Sequence, residues 1–370
     1  MEKAAAMELS NTIPALLSQQ VATFASETIL RKKDRGIWNA VTWSELDAFV
    51  RDIGQGLRAA GLTHGGVVAV LADTRPELVY CDLAILGCGA ASVALHPDEP
   101  ASRVSDILRE TGAAFAIVEG EEQLDKILSV RPECPSLRGI VIIDMKGLRE
   151  FHDPTCLSLA RLIASGAGQT DWKAAGASVA PDQTAAILVP REGPTVSVTH
   201  AEIIRQVDAA GGTLGVRAGD ERLAVLPMSD PTERVLGIYL ALKHRIVSNY
   251  LENPETATEN LREVKPTVFG ADSEAWERLH ARTVALAGGA TQAQKLLYNW
   301  AIGAGAGGGP MGFLANLLVL SAVRAQLGFG KLRVAYVGDR AIPAEIDAWA
   351  LSLGIKVRYI NPFQKGETHA

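Results

Sequence analysis

The eleven residues that follow the apolar run TAAILV from Thr184 are Pro190-Arg191-Glu192-Gly193-Pro194-Thr195-Val196-Ser197-Val198-Thr199-His200. A strand that runs into a loop at such a place could hold phosphate, which requires free backbone N–H groups and a cation. Here Pro190 and Pro194 offer no N–H donor, and Glu192 adds negative charge. Arg191 supplies a cation, but one cation does not rebuild a glycine cradle, and an ordinary surface turn is the simpler reading. Gly303, Gly305 and Gly308 satisfy G-x-G-x-x-G. That fingerprint binds pyrophosphate only between a strand and a helix. These glycines follow the helical pattern QAQKLLYNWAIG and read as a flexible linker between two helices. None of the seven histidines stands with an acid and a nucleophile at a recognisable spacing, and G-x-S-x-G does not occur. Hydrolase chemistry therefore has no foothold. His96, before Pro97, and His200 read as packing or turn residues. Cys81, Cys88, Cys134 and Cys156 form no C-x-x-C pair and read as buried free thiols of a reducing compartment.

The elements that would position such groups are short Val- and Ile-rich runs separated by amphipathic segments. The runs start at Val67, Ala113, Gly139, Thr184, Arg222, Pro266, Leu332 and Ile355. They suit strands of parallel sheets buried on both faces. The segment from Trp43 repeats apolar residues three and four apart, with Thr42 and Glu45 spaced for a capping box and Gly61 as a stop. A small, Gly-rich stretch from Ser165 to Pro181 reads as a connection, which puts a domain boundary near residue 178.

With 370 residues, 48% of them hydrophobic, the chain can bury a large core divided into two lobes. Net charge is -6, with Lys and Arg read as scattered along the chain, and this excludes a nucleic-acid footprint. The N-terminal residues lack a signal-peptide core, and the longest apolar stretch, Phe313 to Val323, is too short to span a bilayer. A cytoplasmic protein without a transmembrane segment is the expectation.

Several longer stretches carry a family resemblance: RKKDRGIWNAVTWSEL, TRPELVYCDLAILGCGAASVALHP from Thr74, EEQLDKIL at Glu121 and LREVKPTVFGADSEAWERLHART from Leu261. Their order resembles the long-chain fatty-acid CoA ligases of the adenylate-forming, AMP-binding superfamily, over nearly the whole chain. The resemblance implies an α/β fold class: two doubly wound α/β lobes of an N-terminal domain, without the family's barrel subdomain and C-terminal lid. The first lobe would be 1–178, with segment 1–40 packing across the lobes, and the second 179–370.

The family joins an acyl group to coenzyme A through ATP and Mg²⁺, chemistry that rests on positioning and charge neutralisation. Where it carries a Gly-, Ser- and Thr-rich loop ending in P-K-G, this chain has Arg191, Glu192 and Gly193 before the matching Thr199-His200 pair. Its L-P-x-x-H-x-x-E-R stretch becomes Leu226 to Arg234, with Asp230 for the histidine and Glu233 retained. The arginine of V-P-R-x-W becomes Glu274. The metal-binding glutamate of Y-G-x-T-E becomes Lys365, and a cation cannot ligate Mg²⁺. Arg191, Glu192, Gly193, Thr199, His200, Asp230, Glu233, Gly338 and Lys365 are thus degenerate nucleotide-site positions. Gly237, Phe269, Gly270 and Trp276 are candidate acyl-pocket positions, although core aromatics are the commoner role for Phe269 and Trp276. No catalytic residue, no metal and no cofactor are expected, although the family uses ATP, Mg²⁺ and coenzyme A. The resemblance implies a catalytically degenerate homologue acting as an acyl- or acyl-CoA-binding or interaction subunit, as a homo-oligomer or with a protein partner. The alternative is a ligase completed by a separately encoded C-terminal domain.

Overall fold

The computed structural model describes residues 11–167, 172–190, 195–289, 291–307 and 309–361. Fourteen strands appear among them: β1 (Thr28–Asp34), β2 (Ile37–Thr42), β3 (Val67–Leu71), β4 (Ala91–Leu95), β5 (Phe115–Val118), β6 (Gly139–Ile142) and β7 (Cys156–Ser158), then β8 (Thr184–Leu188), β9 (Val196–Thr199), β10 (Glu221–Ala224), β11 (Val247–Tyr250), β12 (Val268–Ala271), β13 (Val334–Val337) and β14 (Val357–Tyr359). They form two seven-stranded sheets. One has the order β7-β6-β5-β3-β4-β8-β9, the other β14-β13-β12-β10-β11-β1-β2. Neighbours β3, β4, β5, β6 and β8 pair in parallel, and only the terminal β9 turns back antiparallel on β8.

Each of the eight apolar runs forms a strand, because a parallel strand covered on both faces needs continuous apolar sequence. β4, β5, β6 and β12 are buried at every residue. The helix Trp43–Ala59 buries Trp43, Leu46, Val50, Ile53 and Leu57, one residue per turn on one face. Each such side chain contributes about 1.5–3 kcal/mol by leaving water. Its N-terminus carries the expected capping box. Glu45 N donates to Thr42 Oγ1 at 3.3 Å, and Thr42 N donates to Glu45 Oε2 at 2.8 Å. Gly61 follows with φ of +101°, a conformation that a Cβ would oppose.

The domain boundary is corrected. One compact unit comprises residues through Ile29, Ala40–Val207 and Pro227–Asp230; the other comprises Leu30–Asn39, Asp208–Leu226 and Pro231 onward. β8 pairs in parallel with β4, Ser92 opposite Ala186, so the strand assigned to the second lobe completes the first sheet instead. Segment 1–40 also divides: the helix Ile13–Phe24 goes with the first unit, and most of β1 and the first half of β2 with the second. The first unit's core includes Val93, Ile107, Val118 and Leu124; the second's includes Leu223, Phe269, Trp276, Phe329 and Val337.

The glycine run is corrected too. Gly303 and Gly305 sit inside the helix Gln292–Gly307. A Cβ on Gly305 would lie 2.3 Å from the Ser352 carbonyl oxygen, so this glycine lets two helices touch. Gly308 lies outside the described residues. No helix among those described is long and apolar enough to cross a membrane.

Candidate functional site

Of the nucleotide-site positions, Thr199 and His200 fall in the first unit, at the start of the helix His200–Leu214. Thr199 Oγ1 accepts from Glu202 N at 3.2 Å and donates to Glu202 Oε2 at 3.0 Å, and Glu202 Oε2 accepts from Thr199 N at 2.9 Å. The Thr199 hydroxyl is thus spent on capping the helix. His200 is fully buried, and its Nδ1 accepts from Ile13 N at 3.4 Å. An accepting Nδ1 places the proton on Nε2, which has no partner among the described residues. Burial pushes its pKa down to about 4, opposed in part by the Asp82 carboxylate. Asp82 is itself buried and accepts from Ser92 Oγ. Asp230 is half-buried, its backbone N donating to Pro227 O at 2.9 Å. Arg191, Glu192, Gly193 and Lys365 lie outside the described residues.

In the second unit, Glu233 opens a π-helical segment, Glu233–Tyr239, that is buried throughout. Its carboxylate pairs with Arg222 of β10, and both side chains are 2% exposed. Burial works against the Arg222 charge, yet the carboxylate beside it outweighs that cost and raises the pKa. Asn249 Nδ2 donates to the Arg222 carbonyl at 2.9 Å, and Arg234 Nε donates to Tyr239 Oη at 3.3 Å. Sequence reading missed Arg222. Its signal was a cation inside the apolar run RLAVLPM, where a buried charge demands a partner. Gly338 ends β13 under Thr232, whose Oγ1 would stand 2.1 Å from a Cβ there.

Two of the acyl-pocket positions are filled by neighbouring side chains. A Cβ on Gly237 would meet the Glu233 carboxylate at 2.6 Å, and one on Gly270 would meet the Tyr336 ring at 2.1 Å. Tyr336 is held there, its hydroxyl donating to Leu236 O at 2.9 Å. Phe269 and Trp276 pack edge-to-face, with ring centroids 5.4 Å apart, and Phe329 lies 5.1 Å from Phe269. These residues take part in close packing. Glu274 is exposed and pairs with Arg278 at 3.3 Å.

A cavity of about 530 Å³ lies elsewhere, in the first unit, lined by Gln55, Arg58, Leu62, His64, Cys88 and Ser178 among others. Cys88 is no nucleophile: burial pushes its thiol up to about 12, and its Sγ donates to Gly54 O at 3.3 Å.

Two helix-flanked α/β sheets in this order define the N-terminal domain fold of adenylate-forming enzymes. The anthranilate CoA ligase AuaEII, solved in complex with anthranoyl-AMP, superposes with a TM-score of 0.69 at 18% identity, covering 95% of this chain and 58% of that one. Residues 17–188 match the family described as AMP-binding enzyme. The long-chain-fatty-acid–CoA ligase ACSBG2 of Xenopus laevis is 24% identical over 94% of this chain and 50% of its own length. A fatty-acid–CoA ligase fadD11 of Mycobacterium tuberculosis is 29% identical over 58% of this chain and 41% of its own. Residues 17–188 thus resemble an AMP-binding-enzyme domain, and the chain as a whole is similar to long-chain fatty-acid–CoA ligases. It spans about half the length of the curated relatives it matches.

The expectation that no cofactor applies is overturned by these matches, since the matched family is defined by AMP binding and a matched structure holds an acyl adenylate. Among the described positions, the Thr199 hydroxyl, the His200 Nδ1 and the Glu233 carboxylate each have an intramolecular partner.

Proposed function

We propose that this chain is an acyl-CoA-synthetase homologue that does not complete acyl-CoA formation alone and serves as an acyl-binding or interaction subunit. What supports this reading is the commitment of Thr199, His200 and Glu233 to intramolecular partners, in a chain whose sequence replaces the family's histidine with Asp230. An enzyme that stabilises developing phosphate charge needs donors and cations free to face it. Adenine nucleotide belongs to the family, so its binding is measured separately from turnover.

The test combines the purified chain with ATP, Mg²⁺, coenzyme A and fatty acids of varied length. The expected result is no acyl-CoA and no pyrophosphate above background, with acyl-CoA or a protein partner co-purifying from the native host. Pyrophosphate release that disappears in an Arg191→Ala variant would sink the proposal. A second reading is a ligase completed by another chain. It expects turnover to appear when a C-terminal domain is supplied in trans.

A further inference from the structure

The 61 residues from Arg278 to Gly338 contain six Lys and Arg and no Asp or Glu. The rest of the chain holds thirty basic and forty-two acidic residues, net -12. Cations occur here at the same density as in the rest of the chain, but this stretch lacks the carboxylates that offset them elsewhere and is locally positive in an acidic protein. The same stretch exposes the largest group of apolar side chains. Phe313 is 70% exposed, Leu317 64%, Leu318 57% and Met311 55%, while Leu296 on the preceding helix is 71% exposed. Exposed large hydrophobics on other elements are dispersed, such as Ile37 on β2 and Tyr359 on β14.

The exposure follows from helix geometry. The helical segments Gly309–Ala315, Asn316–Leu320 and Ser321–Gln326 are continuous and together measure roughly 27 Å. Gly312, Ala315 and Leu320 face inward, and a Cβ on Gly312 would come 3.1 Å from the Ala304 carbonyl oxygen of the preceding helix. Anchoring that face against the helix Gln292–Gly307 leaves Met311, Leu314 and Leu318, and Phe313 and Leu317, directed outward at helical spacings. Phe313 to Val323 thus reads as neither a core helix nor a loop. Of the six cations, Arg278 and Arg333 pair with carboxylates. Arg282, Lys295, Arg324 and Lys331 have no ion pair among the described residues; Arg282 bonds Thr258 Oγ1 and Arg324 the Leu353 carbonyl.

We infer that the helical stretch from Gln292 to Gln326 carries a docking face for the surface of a bilayer containing anionic phospholipids. An apolar helical face on a stretch that carries cations and no carboxylate of its own suits the acyl–headgroup boundary, where buried apolar area and headgroup charge act together. No described helix can span the bilayer, so the contact lies on the surface. Pairing two copies through this face across a twofold axis would bring like charges together. A contact with a different face of a second copy would need an apolar counterpart, and the remaining exposed apolar residues are dispersed.

The test is flotation of the full chain with vesicles of phosphatidylcholine alone or mixed with phosphatidylglycerol. Binding is expected only with phosphatidylglycerol present, weakening as salt is raised to about 0.5 M. A Phe313→Glu/Leu317→Glu variant should lose at least about tenfold in partition. Lys295→Glu/Lys331→Glu, which leaves the apolar face intact, should weaken it in the same direction. Ile37→Glu, changing an equally exposed apolar residue elsewhere, should leave it unaltered. Equal partition into both vesicle types, or undiminished partition of the Phe313 and Leu317 variant, overturns the proposal. Self-association in sedimentation that this variant abolishes, without vesicle binding by the parent, overturns it in favour of a second copy.

Discussion

The carboxylate of Glu233 lies over the bare Cα of Gly237, one helical turn on, at a distance that leaves no room for a methyl group. Gly237→Ala must therefore move Glu233, and Glu233 is the buried partner of Arg222. Separating a buried pair leaves an uncompensated charge and costs about 3–5 kcal/mol. Gly237→Ala should lower stability by an amount near the lower end of that range in urea unfolding. In a Glu233→Ala background the obstruction is gone, and the same change should cost little. Additive costs in the double variant would show that the crowding is not the cause.

Stability should fall in acid because His200 is buried neutral. Its folded pKa of about 4 lies below the ordinary 6.5, so between those values the unfolded chain binds the extra proton. The contribution is complete above pH 6.5, declines as pH drops toward 4 and is lost below it. Its full size is about 3 kcal/mol. His200→Leu removes the acceptor for Ile13 N and lowers stability at neutral pH, but should flatten the pH dependence between 6.5 and 4. An unchanged slope in that variant would assign the acid sensitivity to other groups.

The eight apolar strands and the Thr42–Glu45 cap were legible because each follows from a local pattern, continuous burial or a three-residue spacing. Strands β1, β2, β4, β7, β9 and β11 were not: β4 (ASVAL) is short and built largely of small residues, and β1 reads TILRKKD yet pairs with the distant β11, Leu30 opposite Ser248. The site was less legible than the fold. Motif resemblance proposed Gly237 and Gly270 as pocket positions, but that the Glu233 carboxylate lies over the one and the Tyr336 ring over the other depends on how the chain folds and not on the motif. Gly305 misled for a related reason: a glycine that permits close helix contact has the same sequence appearance as one that permits flexibility.

Tyr336 gives a second test of the packing around the acyl-pocket positions. Tyr336→Phe keeps the ring over Gly270 and removes only the donor to Leu236 O, so it should cost about 1–2 kcal/mol. Gly270→Ala has to displace the ring itself and should cost at least as much, about 1–3 kcal/mol or more. If Gly270→Ala proves harmless to the thermal midpoint, the ring is not seated on that glycine.

Two glycines of the helix Trp43–Ala59 offer a contrast decided by what each one faces. A Cβ on Gly54 would meet the Trp172 ring at 2.3 Å, and one on Gly56 would meet the Leu162 carbonyl oxygen at 2.3 Å. The distances are equal, but a side chain can rotate away whereas a helix backbone cannot move without its neighbours. Trp172 also rests on Gly87, where a Cβ would again come within 2.3 Å of the ring. Gly54→Ala should therefore expel Trp172, shifting its fluorescence to the red, and cost about 1–3 kcal/mol. Gly56→Ala must separate the helix from Leu159–Gly166, whose Gly166 is already so close to the Asp52 carbonyl that a Cβ there would lie 1.9 Å away. Its cost should exceed that of Gly54→Ala, with the Trp172 emission unchanged in whatever fraction remains folded. A reversed order of the two midpoints in urea would mean that Trp172, and not the contact between the two helices, is the more rigid neighbour.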